Sequence, residues 1–244
     1  MDDGIRTPQA LRVWDLPTRL FHWLLVAAVT TAIASGLAGG NWMAVHGKAG
    51  LAIAGLVAFR LVWGFVGNRY ARFTNFAPTP RVLKTYLRGE WQGHGHNPLG
   101  ALSVLVLLIL LSTQVGTGLF GNDEIAFTGP LAGLVSESLS LRLTGLHHQL
   151  AIALYLLLGL HVVAILFHTV VKKDNLVKPM LTGYKETIQE TPHPTPAKVG
   201  WASLVFALAT ALGTLYVASG APLQAETPSA TPSRSGTDSS QPSW

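Results

Sequence analysis

His147 and His161 are fourteen residues apart in Leu146 to Val171, a run with no Asp, Glu, Lys or Arg that is long enough to cross a bilayer. At about 100° per residue, fourteen steps end roughly 40° short of four whole turns. At about 1.5 Å rise per residue the two imidazoles stand roughly 21 Å apart on one helix face. One helix can therefore carry ligands for two stacked metal centres. Two further apolar runs each hold a histidine near one end, His22 in the first and His46 in the second. Four histidines at two depths predict two bis-histidine sites, each suited to the iron of a haem b in a membrane protein.

The composition agrees with a bilayer environment. Charged residues make up 12% of the 244 residues and hydrophobic ones 49%, well below the charge of ordinary soluble domains, and the mean hydropathy is +0.37. There is no cysteine, which excludes thiolate zinc sites, iron–sulfur clusters, disulfides and covalently attached c-type haem. The net charge of +5 does not point to nucleic acid, because the basic residues lie between apolar runs and no basic-aromatic or phosphate-binding motif accompanies them.

Windows of about 20 apolar residues predict five spans, at Leu20 to Leu37, His46 to Val66, Leu99 to Phe120, Leu146 to Val171 and Val199 to Ala218. The second is interrupted by Lys48 and Arg60. Arg69, Arg72, Arg81, Lys84 and Arg88 follow the second span, and Lys172, Lys173, Lys178, Lys185 and Lys198 follow the fourth. The positive-inside rule makes both loops cytoplasmic. Arg6, Arg12 and Arg19 put the N-terminus on the same side, and the acidic loop from Gly121 to Gly145 faces outward. The C-terminus is then periplasmic. Ala32-Ile33-Ala34 resembles a signal-peptide cleavage site, but the long run and the four spans after it favour a retained helix. After Gly220 the chain is rich in Pro, Ser, Thr and Ala without apolar period, and a disordered periplasmic tail is expected.

In this topology His22 and His161 share the inner depth, and His46 and His147 share the outer one. An isolated intramembrane histidine is often only a polar interhelix contact, but matched depth and helical phase favour ligation for the set. His148 would lie roughly 140° from His161 around the helix, off the ligand seam. His168, beside Lys172, is expected at headgroup depth, as a group near a propionate or quinone or as a solvated helix end. His94 and His96 precede Asn97-Pro98, a capping signal for the third span, and His193 lies between prolines. Arg60 is fourteen residues after His46. It either meets a haem propionate in the seam or snorkels to the cytoplasmic headgroups, and Lys48 has a similar choice outside.

With these positions in hand, the chain resembles the bacterial di-haem transmembrane cytochrome b family that includes the membrane subunit of nickel–iron hydrogenases. The stretches that carry the resemblance are RVWDLPTRLFHW (Arg12 to Trp23), His46 to Gly67 with its RLVWGFVG ending, YARFTNF (Tyr70 to Phe76), GHNPLG (Gly95 to Gly100), His147 to His161, and NLVKPMLTGYK (Asn175 to Lys185). The resemblance implies ligands from the first, second and fourth spans, which carries onto His22, His46, His147 and His161. The family commonly has an acidic residue after the first ligand of the fourth span, where this chain has His148. The fifth span and tail lie outside the resemblance.

The expected fold is an all-α membrane protein: a four-helix transmembrane bundle binding two haems b, plus a fifth C-terminal transmembrane helix. Residues 1–19 would form a cytoplasmic N-terminus, 20–185 the di-haem domain, 186–220 a linker and the fifth helix, and 221–244 the tail. The expected function is electron transfer across the bacterial inner membrane between a periplasmic redox partner, hydrogenase-like or a c-type cytochrome, and the quinone pool. Homo- or hetero-oligomers are compatible with this. One alternative is a quinone-coupled oxidoreductase acting directly on a small molecule such as superoxide. Another, of a different class, is a membrane anchor or proton-relay transporter without haem.

Overall fold

Three of the five long helices begin where a short polar side chain takes up an orphan backbone donor. In the computed structural model, which describes residues 9–91, 97–187 and 200–225, a short strand β1 (Gln9–Arg12) leads to Asp15. The Asp15 carboxylate accepts the Thr18 N–H at 2.8 Å and opens α1 (Leu16–Ala38), with Pro17 in the first turn. A single 3-10 turn, Gly40–Trp42, reverses the chain into α2 (Met43–Val66). Two short helices follow, α3 (Phe73–Phe76) and α4 (Pro80–Leu87). Asn97 caps α5 (Pro98–Phe120) through the Gly100 N–H at 2.7 Å. Ser136 caps α6 (Glu137–Val170). The chain then forms α7 (Val177–Thr182), strand β2 (Tyr184–Thr187), α8 (Trp201–Ala218) and α9 (Ala221–Ala225).

Five of these helices are long and apolar enough to cross a membrane, in the order the hydropathy windows predict. The largest difference is α6, which starts at Glu137 rather than near Leu146 and runs for 34 residues. At about 1.5 Å per residue it is roughly 51 Å long and overshoots a hydrocarbon core of about 30 Å. The extra turns are held by side chains that hydropathy does not register. Ser140 donates to the Phe120 carbonyl at 2.7 Å, and the Thr144 hydroxyl bridges the Asn122 N–H and carbonyl at 2.9 and 3.0 Å. Of the expected tail after Gly220, only residues 221–225 lie among the described residues. Residues 221–225 form α9, started by the Ser219 hydroxyl accepting the Ala221 N–H; residues 226–244 lie outside the described residues.

α2 is the central helix. Half of its most apolar window is buried, against 17% or less in the other four. It packs on α1, α5 and α8. One apolar cluster joins Val29, Ile53, Val57, Leu110, Leu111 and Leu154 between the two histidine depths, and another joins Phe21, Phe59, Trp63, Leu108 and Ala207. α8 lies close against α2: Ala207 is fully buried, and a Cβ on Gly55 would be 3.4 Å from the Ala211 carbonyl oxygen.

The end of the bundle that carries the basic loops is closed by long-range contacts. β1 pairs antiparallel with β2, from Gln9 opposite Thr187 to Arg12 opposite Tyr184. The Gly183 carbonyl accepts the N–H groups of Val13 and Trp14. Gly183 has φ +90°, and a Cβ there would be 2.9 Å from the Trp14 carbonyl oxygen, so glycine is required on both counts. Arg19 donates to the Leu181 carbonyl and Trp23 to that of Met180. Residues 9–12 are thus part of the bundle's closure.

Candidate functional site

The opposite end brings His46 and His147 together, with ring centres 6.0 Å apart and planes at 81°. His46 comes from the first turn of α2 and His147 from α6. In each ring Nδ1 faces a main-chain carbonyl, that of Ala32 at 2.8 Å from His46 and that of Gln114 at 3.0 Å from His147. A carbonyl can only accept, so both Nδ1 atoms carry the proton and both Nε2 atoms keep a free lone pair. Carbonyl partners of this kind fix the tautomer and ring orientation of metal-binding histidines. Gln114 also donates from Nε2 to the His147 carbonyl at 3.1 Å.

Two glycines make room for these rings. A Cβ on Gly36 would be 2.9 Å from His46 Nδ1, and one on Gly118 would be 3.1 Å from His147 Cε1. The rings line a cavity of about 330 Å³ whose walls include Val29, Ile53, Leu111 and Leu154. That volume falls within the range of small-molecule and cofactor sites. Asn122, Asp123 and Phe127 of the loop after α5 form part of its wall. The Asp123 carboxylate accepts the N–H groups of Ile125, Ala126 and Phe127 at 3.0, 2.9 and 2.8 Å, and this turn carries Phe127 edge-on to His46 at 6.2 Å. Desolvation pushes the Asp123 carboxyl up, but these backbone bonds more than offset it and hold the group below its ordinary range. Ile125 at the loop tip is 93% exposed.

At the other depth His22 on α1 and His161 on α6 lie within electrostatic reach of each other. Both are half-buried. His22 Nδ1 is buried without a hydrogen-bond partner, and the ring is edge-on to Trp23 at 5.1 Å.

Arg60 is only 3% exposed, so it does not snorkel into open solvent. Its guanidinium lies 4.7 Å from the Phe73 ring centre and 6.0 Å from that of Phe76, within range for cation–π attraction. The Asp15 carboxylate acts on it electrostatically, while its other oxygen accepts the Trp63 indole N–H at 3.2 Å. Phe73 reaches this node because residue 64 is glycine, where a Cβ would be 2.0 Å from the Phe73 ring. Arg60 Nη1 is buried without a hydrogen-bond partner.

His148 is exposed but contributes to the cavity wall next to His147. His168 packs edge-on to Phe167, and Lys48 is exposed. His94, His96 and His193 lie outside the described residues. Sequence reasoning missed Gln114, Thr117, Phe127, Asp15, Trp63 and the two glycines at the rings. Of these, only Asp15 and Trp63 fall in the RVWDLP and RLVWGFVG stretches, which with YARFTNF make up the Asp15, Trp63, Arg60 and Phe73 node.

The His46–His147 pair fits a haem iron. Two imidazoles sharing one metal at about 2.0–2.1 Å each stand with ring centres roughly 6 Å apart. Among the described residues no group of three or more His, Cys, Asp or Glu could hold a bare metal ion. Two imidazoles suit a metal whose four other positions a macrocycle fills.

Residues 13–183 match the family described as prokaryotic cytochrome b561. Among relatives, a probable Ni/Fe-hydrogenase B-type cytochrome subunit of Rhodobacter capsulatus is 24% identical over 223 residues, covering 75% of this chain and 84% of its own. A similarly named subunit of Azotobacter chroococcum mcd 1 is 22% identical over 226 residues, covering 75% of this chain and 91% of its own. The probable Ni/Fe-hydrogenase 1 B-type cytochrome subunit of Escherichia coli K12 is 23% identical over 137 residues, 43% of this chain and 57% of its own. No solved structure matches. With most of the chain covered, five apolar helices and paired histidines, the protein belongs to the prokaryotic cytochrome b561 family of hydrogenase-type cytochromes b, haem proteins of membrane electron transport.

Proposed function

We propose that the chain is a di-haem electron wire of the bacterial inner membrane. His46 and His147 ligate an outer haem b, His22 and His161 an inner one, and electrons pass between a periplasmic redox partner and a membrane quinone. The observation that carries this reading is the 6.0 Å His46–His147 pair with both Nδ1 protons tied to carbonyls, on a helix that presents His161 fourteen residues further on. Haem b, when bound, would supply one-electron exchange, and two imidazole ligands would suit it to electron transfer rather than to binding a small molecule at the iron.

The chain's own part is orientation, insulation and depth. The Ala32 and Gln114 carbonyls hold the outer rings in one tautomer, and the apolar cavity wall keeps water from them. α6 sets the separation of the two sites at roughly 21 Å, four turns of one rigid helix. Arg60, with a buried unpartnered Nη1, offers a charge-assisted donor to a propionate of the inner haem. The basic loops support a cytoplasmic N-terminus and a periplasmic C-terminus. In this reading residues 20–185 form the di-haem domain and 186–220 the linker and the fifth helix. The names of the relatives support a hydrogenase-like enzyme as the outer partner.

The test is haem stoichiometry and spin state in the detergent-purified protein. Close to two haems b per chain are expected, both low-spin and both extractable by acid acetone, because no cysteine exists to form a thioether. A ratio near one, or a high-spin spectrum in intact protein, overturns it.

A further inference from the structure

We infer that Thr117, acting with the Gln114 carbonyl, sets the electron-donating strength of His147 and through it the reduction potential of the outer haem. The inference rests on the haem reading above. α5 carries none of the four histidines, yet its 114–118 turn surrounds the His147 ring. Nδ1 is 3.0 Å from the Gln114 carbonyl and 3.2 Å from the Thr117 hydroxyl oxygen. The ring proton is on Nδ1, so the hydroxyl can only accept from it. The hydroxyl's own proton has two main-chain acceptors at 2.9 Å, the Thr113 carbonyl and the Gln114 carbonyl that also faces His147. The result is a relay of hydrogen bonds from imidazole to hydroxyl to main chain, and each link polarises the next.

Acceptors at Nδ1 push electron density to Nε2 and raise the basicity of the ligand. A more basic axial imidazole favours the oxidised iron and lowers its potential. Thr117 is 5% exposed, so solvent does not replace the hydroxyl once it is removed. Gly118 allows the ring to approach this turn. Among the described residues, His46 Nδ1 meets the Ala32 carbonyl and His22 Nδ1 has no hydrogen-bond partner. Thr117 is therefore a positioning residue for His147, and its effect falls on one haem of the two.

The experiment is a potentiometric titration of the detergent-purified, haem-loaded protein, comparing wild type, Thr117→Val and Thr117→Ser, with haem content measured on each. Valine keeps the shape and removes the hydroxyl; serine restores it. Thr117→Val is expected to keep both haems and to raise one potential, with the other unchanged, while Thr117→Ser matches wild type. If Thr117→Val loses the outer haem and Thr117→Ser keeps it with wild-type potentials, the hydroxyl is again the agent. Unchanged potentials in Thr117→Val, equal shifts of both, or haem loss in both variants overturn the inference. Wild-type protein with fewer than two low-spin haems would instead overturn the haem reading, before any variant is made.

Discussion

Single side chains decide the cofactor chemistry. Replacing His46 or His147 by Ala should remove the outer haem and leave the inner, and His22→Ala or His161→Ala should do the reverse, each read as loss of one of two components in the reduced-minus-oxidised spectrum. His148→Ala should leave both, because it is His147 that meets His46 at 6.0 Å. Arg60 is a second residue-scale test. A charge-assisted bond from a buried guanidinium to a propionate is worth about 1.5 to 3 kcal/mol, and a cation favours the reduced, more negative centre. Arg60→Gln should therefore keep both haems and lower one potential, and two unchanged potentials would limit Arg60 to its contacts with Asp15 and Phe73. The histidines were legible in the sequence because a period of 3.6 turns fourteen residues into one face and one depth difference. Thr117 and Gln114 were not, since a polar residue in an apolar span gives no sign of which ring it will meet from another helix.

At the scale of elements, the loop from Gly121 to Gly129 depends on one carboxylate. The Asp123 group is held below its ordinary range in the folded protein. A depressed folded pKa contributes order above the unfolded value of about 3.9, and that order is lost as pH falls through the folded one. Hydrogen exchange at the Ile125, Ala126 and Phe127 amides should show protection at neutral pH that Asp123→Ala removes. Protection unaffected by Asp123→Ala would sink the idea. The α2–α8 seam makes a different prediction. Ala207 is fully buried, so Ala207→Phe should overpack it at a cost of about 1 to 3 kcal/mol, lowering the thermal midpoint while leaving both haem spectra in place. Hydropathy located all five spans, and Asn97-Pro98 marked the start of α5. It missed the nine residues that extend α6 and the strands β1 and β2, because their partners are remote in sequence and short polar stretches carry no period.

For the molecule as a whole, charge asymmetry and closure work at the same end. Reporter fusions in residues 67–91 and immediately after Thr187, ahead of α8, should both read as cytoplasmic, and one in residues 121–136 as periplasmic; any of these on the wrong side would refute the five-span topology. At that basic end β1 is bonded to β2, which follows α7. Gln9–Arg12 is synthesised before the four spans that separate it from Tyr184–Thr187, so its edge waits unpaired until they have been made. Closure across so long a stretch of chain carries a loop entropy cost that only the finished bundle repays. The two-stranded clasp is therefore a late event in biogenesis, and it leaves an interval in which α1, with His22, is not yet fastened to the segment that follows α7.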